Sequence, residues 1–277
     1  MNVQKVIKRI VIYMALTAAI AIMLYPLFYI FMASIKSKED SLNNPPYALP
    51  TMPTFQNYIS LVDTEFPRYF LNSITIAVIV LTLIAILGAL AAYPLEKMNF
   101  RGRKLIKNLF MIGIMIPIFI SLVPMFGIYN MLGLRDTYWS VIIPQVGFSL
   151  PMAMYLYTAF LKGVPDSLIE AGYMDGAGTF RIFVSVVMPL MKNTTVTIII
   201  FNFVFVWNEF IFANTFISSS LVKTLPIGLN DFVGLYGLRD WGITFAAVAI
   251  TILPTLIIFF ILNKQVMEGM AAGAVKG

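Results

Sequence analysis

Trp207, Asn208 and Glu209 stand side by side near the outer end of an apolar run, joining an aromatic face to an amide and a carboxylate. That combination holds sugars, by ring stacking and by hydrogen bonds to hydroxyls. About 15 residues, or roughly 22 Å of helix, separate it from the inner end of the run. Glu209 is the one clear acid within the apolar runs, and it suits pairing with a neighbouring helix equally well. A second constellation lies in the stretch 164–193, where Glu170, Ala171 and Gly172 precede Asp175, Gly176 and Ala177. Pro165 fits a first helical turn, and Asp166 puts negative charge near the helix N-terminus. Leu168, Ala171 and Gly172 share one face, with Glu170 to its side. Gly176 and Gly178 permit a bend, and Thr179 is expected to cap a second helix running to Pro189. A helix, bend and helix carrying an acid and small residues is expected to serve as a docking surface.

Other chemistry is excluded by what the chain lacks. It has no cysteine and no histidine, which removes disulfides, thiol chemistry and the commonest zinc ligands, and no metal site is expected. No Gly-rich loop ends in Gly-Lys-Ser/Thr, and no Gly-x-Ser-x-Gly or His-Glu-x-x-His pattern occurs. A proton- or sodium-driven transporter would carry more acids within its spans. Energy is therefore expected to come from a partner.

The elements that position these residues are membrane spans. The chain is 60% hydrophobic and 12% charged with a mean hydropathy of +0.87, and a soluble domain carries about twice that charge. Apolar runs of roughly 20 residues make it an all-α, polytopic membrane protein with room for about six spans and no separate soluble domain. We place the spans at 10–35, 70–95, 109–132, 139–161, 194–217 and 241–262 of a single domain covering 1–277. Pro26 is expected to bend the first. Pro144, Gly147 and Pro151 are expected to interrupt the fourth. The segments 36–67 and 218–240 lie outside, the former with a short amphipathic helix at 54–62, and 263–277 forms a tail. Lys5, Lys8 and Arg9 precede the first run as in a signal peptide, but the run is too long for one and should remain as a span. With the N-terminus inside, thirteen of the 19 Lys and Arg fall on inner segments, so both termini and the 164–193 loop are expected in the cytoplasm. Lys36 and Lys38 go against that rule locally. The net charge of +6 reflects this bias and points to lipid rather than nucleic acid.

Glu170-Ala171-Gly172, Asp175-Gly176-Ala177, Phe183 and Val187-Met188-Pro189-Leu190 resemble the EAA loop of ABC importer permeases. Gly172 stands where that pattern has a second alanine, and Asn193 where proline is common. Gly172 is expected to loosen the helix by about 1 kcal/mol while permitting close packing. Further matches resemble the carbohydrate branch, similar to the shorter permease of the maltose transporter. They include Phe70-Leu71-Asn72-Ser73, Ala91-Ala92-Tyr93-Pro94, Gly133-Leu134-Arg135-Asp136-Thr137, Trp207-Asn208-Glu209-Phe210 and Thr224-Leu225-Pro226-Ile227-Gly228-Leu229.

The resemblance implies six helices in a bacterial or archaeal plasma membrane and no catalysis by this chain. The implied partners are a second homologous permease, two ATPase subunits holding ATP and Mg, and an extracytoplasmic binding protein delivering an oligosaccharide. Glu170 to Ala177 with Pro189 would be the coupling element. Asn230 and Asp231, in the 218–240 loop, would reach the binding protein, unless that loop is simply solvated. Ala272, Gly273, Ala274, Val275, Lys276 and Gly277 would insert between the ATPases, although their composition alone suits disorder. The same scaffold could carry glycerol-3-phosphate, but a phosphate wants a basic pathway and no Lys or Arg lies within the spans.

Overall fold

The computed structural model describes residues 3–232 and 240–274, with the backbone alone at residues 3 and 6 and along 262–274. All regular structure among the described residues is helical. The chain divides into two compact units, Met1–Pro67 with Gly228–Leu253, and Arg68–Ile227 with Pro254–Gly277.

The first unit holds α1 (Val3–Ser34), α2 (Lys38–Asn43), α3 (Gln56–Val62), a 3-10 turn at Leu229–Phe232 and the start of α14 (Trp241–Ala274). The segment after α1 is built around two buried charges. Asp40 accepts from Thr51 Oγ1 (2.6 Å), the Thr51 amide (2.8 Å), Asn44 Nδ2 (2.7 Å) and the Met52 amide (3.3 Å). These donors, the Thr51 hydroxyl foremost, hold its carboxyl below the usual range against the opposing effect of burial. Lys36 Nζ donates to the carbonyls of Pro45 (3.2 Å) and Pro46 (3.0 Å), so it is a structural cation rather than a free loop charge. That accounts for one of the two lysines that break the local charge rule. Asn57 Nδ2 bridges the carbonyls of Ser34 and Lys36 at 2.8 Å each, which ties α3 to the end of α1.

The second unit holds α4 (Phe66–Lys97, from Arg68), α5 (Arg103–Gly113), α6 (Ile118–Met131), α7 (Trp139–Leu161), α8 (Asp166–Met174), α9 (Thr179–Ile182), α10 (Met188–Leu190), α11 (Lys192–Trp207), α12 (Ile211–Phe216) and α13 (Leu225–Gly228, up to Ile227). Within a membrane small residues let helices approach, since apolar lipid gives helices little reason to associate otherwise. A Cβ on Gly88 of α4 would lie 3.2 Å from Ala153 Cβ and from the Tyr157 ring of α7. Tyr157 is fully buried there and its hydroxyl donates to Thr195 Oγ1 of α11 at 3.0 Å.

Among the described residues, four helices are long and apolar enough to cross a membrane, and up to six spans result if each of two bent pairs counts as one. The first of those pairs marks a departure from the sequence expectation, and the second falls where a helix ending near Pro189 and a span from 194 were expected to meet. The run at 109–132 is two helices meeting at 99°, broken before Pro117, whose missing N–H and constraint on Ile116 end the first helix. The chain also turns by 72° between Thr179–Leu190 and Lys192–Trp207. The run at 194–217 breaks again at 208–210, between α11 and α12. By contrast α7 passes through Pro144 and Pro151 as one helix, as spans do when neighbours re-satisfy the freed carbonyls. The expected tail is helical as far as Ala274, since α14 continues through it.

Candidate functional site

The 164–193 stretch begins where Lys97, at the end of α4, reaches across. Its ammonium donates to the Val164 carbonyl (2.5 Å) and to Asp166 Oδ1 (2.6 Å). Lys97 is nearly buried while Asp166 is mostly in water, so the pair fixes position more than it adds stability. Pro165 is the extended residue just before α8. The other end of α8 closes by a reciprocal pair of bonds, from the Ala177 amide to the Gly172 carbonyl and from the Gly176 amide to the Tyr173 carbonyl, each 3.0 Å. Gly176 sits at φ +75°, which side chains resist, and this geometry explains the glycine. Thr179 does not cap α9 as expected. The residue before α9 is Gly178, and the Thr179 hydroxyl instead meets the Tyr173 hydroxyl at 3.2 Å.

The face that Leu168, Ala171 and Gly172 were expected to share is not uniform in burial. Ile169 is buried and Gly172 half-buried, whereas Leu168, Glu170, Ala171 and Met174 are exposed. The cause is Ile182 of α9. A Cβ on Gly172 would come within 2.9 Å of Ile182 Cγ1, so glycine at this position seats α8 directly on a fully buried isoleucine. Downstream, Phe183–Val187 forms a π-helical turn leading into Pro189. Proline cannot donate to the carbonyl four residues back and its ring crowds it, and the wider turn absorbs both effects.

Alanine at 172 should therefore destabilise, despite its gain of about 1 kcal/mol in helix propensity, because overpacking costs about 1–3 kcal/mol. In an Ile182→Ala background the same Gly172→Ala change should stabilise. Thermal unfolding midpoints of the four forms check this, and a destabilisation that persists in both backgrounds refutes the contact.

Trp207, Asn208 and Glu209 straddle the break between α11 and α12. Trp207 is 2% exposed, stacked on Phe203 at 5.7 Å and met edge-on by Phe70 at 5.9 Å. Its rings are taken by this chain, so the sugar-stacking role expected of it does not follow from its placement. Asn208 is exposed, and its Nδ2 returns to the Val204 carbonyl at 2.8 Å. Glu209 accepts from the amides of Phe212 (2.6 Å) and Ala213 (3.1 Å), capping α12 at its N-terminus. Asn202, deeper in α11, is buried and donates to the Ile198 carbonyl of its own helix (2.8 Å).

The base of the 218–240 loop is held by residues whose roles the sequence did not reveal. Asn72 Nδ2 donates to the carbonyls of Leu221 (3.0 Å) and Lys223 (2.8 Å), its Oδ1 accepts from the Tyr138 hydroxyl (2.7 Å), and Ser73 Oγ accepts from the Leu225 amide (2.8 Å). Asp136, at φ +56°, accepts from the amides of Ser218 (2.5 Å) and Ser219 (2.8 Å). Further along, Asn230 and Asp231 are both exposed in the 3-10 turn. Ala272, Gly273 and Ala274 end α14, and Val275, Lys276 and Gly277 lie outside the described residues. No cluster of acids that could hold a metal occurs among the described residues.

The amides of Ser219 and Ser218 hold the Asp136 carboxyl below the usual range, with a smaller contribution from Arg135. A lowered folded value means the anchor is at full strength above the unfolded carboxyl value of about 3.9 and weakens only below it. Hydrogen exchange at Ser218 and Ser219 should thus be insensitive to this carboxyl from pH 5 to 7. Asp136→Ala should speed that exchange roughly fivefold, about 1 kcal/mol for an exposed charged acceptor.

The family model described as "Binding-protein-dependent transport system inner membrane component" matches residues 84–267. The chain is 32% identical over 279 residues to the inner membrane ABC transporter permease protein YcjP of Escherichia coli, covering 99% of both chains. It is 30% identical over 278 residues to the trehalose/maltose transport system permease protein MalG of Thermococcus litoralis, again covering 99% of both. A crystal structure of a bacterial ABC transporter importing the acidic polysaccharide alginate contains a chain of the same fold, with a TM-score of 0.83 at 22% identity, over 94% of this chain and 97% of that one.

Proposed function

Because this chain belongs to the family of binding-protein-dependent transport system inner membrane components, we propose that it is one permease subunit of an ATP-driven importer for a di- or oligosaccharide. Relatives named for trehalose and maltose, diacetylchitobiose and α-glucosides support the sugar class. In this reading the chain crosses a bacterial or archaeal plasma membrane six times with both termini in the cytoplasm. A second, homologous permease completes the pathway, and a binding protein delivers sugar to the outer face, where the 218–225 anchor fixes the start of an external loop. Two ATPase subunits, which hold the ATP and Mg, dock on the inner face. The chain breaks no bond itself.

The observation that carries this reading is the exposed side of α8. Glu170, Ala171 and Met174 face outward from a helix that Lys97 ties to α4 and Ile182 ties to α9. A push on that side moves α4 and the approach to α11 together, because packed helices shift as bodies rather than deform. The break at 208–210, with Glu209 capping α12, gives the fifth span a joint.

The test is reconstitution in proteoliposomes with the partner permease, ATPase and binding protein. Uptake of labelled maltodextrin should require both ATP and the binding protein, and glycerol-3-phosphate should not be carried. Uptake by this chain alone, or without ATP, would contradict the proposal.

A further inference from the structure

The segment joining α1 to α4 carries an exposed apolar stripe that none of the roles above uses. Phe55, just before α3, and Ile59 and Val62 on it stand at i, i+4 and i+7 and are 72, 59 and 67% exposed, while Asn57 and Leu61 fill the buried side of the helix. Met52, in the preceding turn, is exposed as well. No charge interrupts the stripe, and Asp63 and Glu65 follow only after it ends.

Position argues for what covers it. The Tyr58 hydroxyl lies 2.6 Å from Ser34 Oγ, and Asn57 bonds the carbonyl of Ser34, the last residue of α1. Gly242, near the start of α14, packs on Asn57, and Phe66 opens α4 four residues after Val62. The end of α1 and the start of α14 therefore meet at α3, and α4 begins in the chain just after it. Such helices need hydrocarbon along their length, so α3 stands where hydrocarbon gives way to water. Trp241, exposed and stacked on Phe245 at 5.8 Å, is the amphipathic aromatic expected at that level. A protein partner needs about 800 Å² per side for a stable interface, more than three side chains supply. A lipid boundary needs only a few apolar groups dipping into it.

We infer that α3 is an interfacial anchor whose Phe55–Ile59–Val62 edge lies in the headgroup–acyl boundary of the leaflet at which α1 ends. Phospholipid is the ligand, and the anchor sets the height of the Asp40-centred segment at the membrane surface. The inference rests on reading α1, α4 and α14 as spans.

The chain has no cysteine, so single nitroxide labels are straightforward. Ile59→Cys and Val62→Cys report on the stripe, Phe55→Cys is a second probe of it, and Gln56→Cys is the exposed control. In the assembled transporter in phospholipid nanodiscs, collision with oxygen should exceed collision with an aqueous nickel chelate severalfold on the stripe, and the order should reverse at 56. Access dominated by the chelate on the stripe overturns the anchor. Protection from both reagents overturns it too, because the second permease or the binding protein then covers the stripe. ATP-driven uptake by the same preparations separates the two failures. An overturned anchor leaves transport intact, whereas absence of uptake in the unlabelled parent sinks the transport reading.

Discussion

Glu170→Lys is expected to abolish sugar uptake by the assembled transporter while leaving this chain inserted and folded. Glu170 is exposed on α8, and exposed substitutions away from special features shift stability by only about 0.5 kcal/mol. Docking is another matter. A carboxylate meeting a basic groove contributes a charge-assisted bond of about 1.5–3 kcal/mol, and reversing its sign adds repulsion. A loss of about 3 kcal/mol weakens association roughly 100-fold. Co-purification with the ATPase should fall accordingly, and the ATP hydrolysis stimulated by sugar-loaded binding protein should drop to its basal level. Full stimulated hydrolysis and full uptake in the variant would remove α8 from the coupling role. Glu170→Gln, which keeps shape and loses charge, should fall between the two and so separate electrostatics from sterics.

Gly242→Ala should cost more stability than alanine at any other glycine whose surroundings are described. The new Cβ would lie 2.5 Å from Asn57 Oδ1 and 2.8 Å from its Cγ and Nδ2. Asn57 cannot move aside freely, because its amide serves the carbonyls of both Ser34 and Lys36. Overpacking costs about 1–3 kcal/mol, and a buried carbonyl left without a donor costs about as much again. We expect a net loss of about 3 kcal/mol, read as a lower unfolding midpoint and as faster proteolysis between 36 and 55. In an Asn57→Ala background the same alanine should cost less than about 1 kcal/mol, since the clash is gone. An equal cost in both backgrounds would locate the strain elsewhere.

What was legible in the sequence was local or periodic. Apolar runs of span length identify helices for a membrane because each helix satisfies its own backbone there, whatever its neighbours. Gly176 was legible because a left-handed helix end needs glycine wherever it occurs. The order of Glu170, Asp175 and Ala177 was legible because short helices keep their spacing. Span integrity was not. Prolines at 144 and 151 were expected to interrupt α7 and do not, while the run around Pro117 turns by 99°. Proline removes the same donor in each case, and whether the helix survives depends on what surrounds it.

The sequence by itself determined that the chain is a helical membrane protein and that 164–193, between two of its apolar runs, is a helix, bend and helix, since composition and short-range spacing suffice for both. Only the tertiary structure decided which way that loop faces. Leu168, Ala171 and Gly172 were expected to share one face, but Gly172 alone of the three sits against Ile182, while Ile169 is buried and Leu168 and Ala171 are exposed. It alone gave Asn72 and Asp136 their partners, 149 and 82 residues along the chain. It also turned the ring of Trp207 from a sugar platform into packing against Phe203 and Phe70. The reason is common to all of them. A side chain's type fixes what it can bind, while distant parts of the chain compete to be what it does bind, and that competition is settled only when the helices pack.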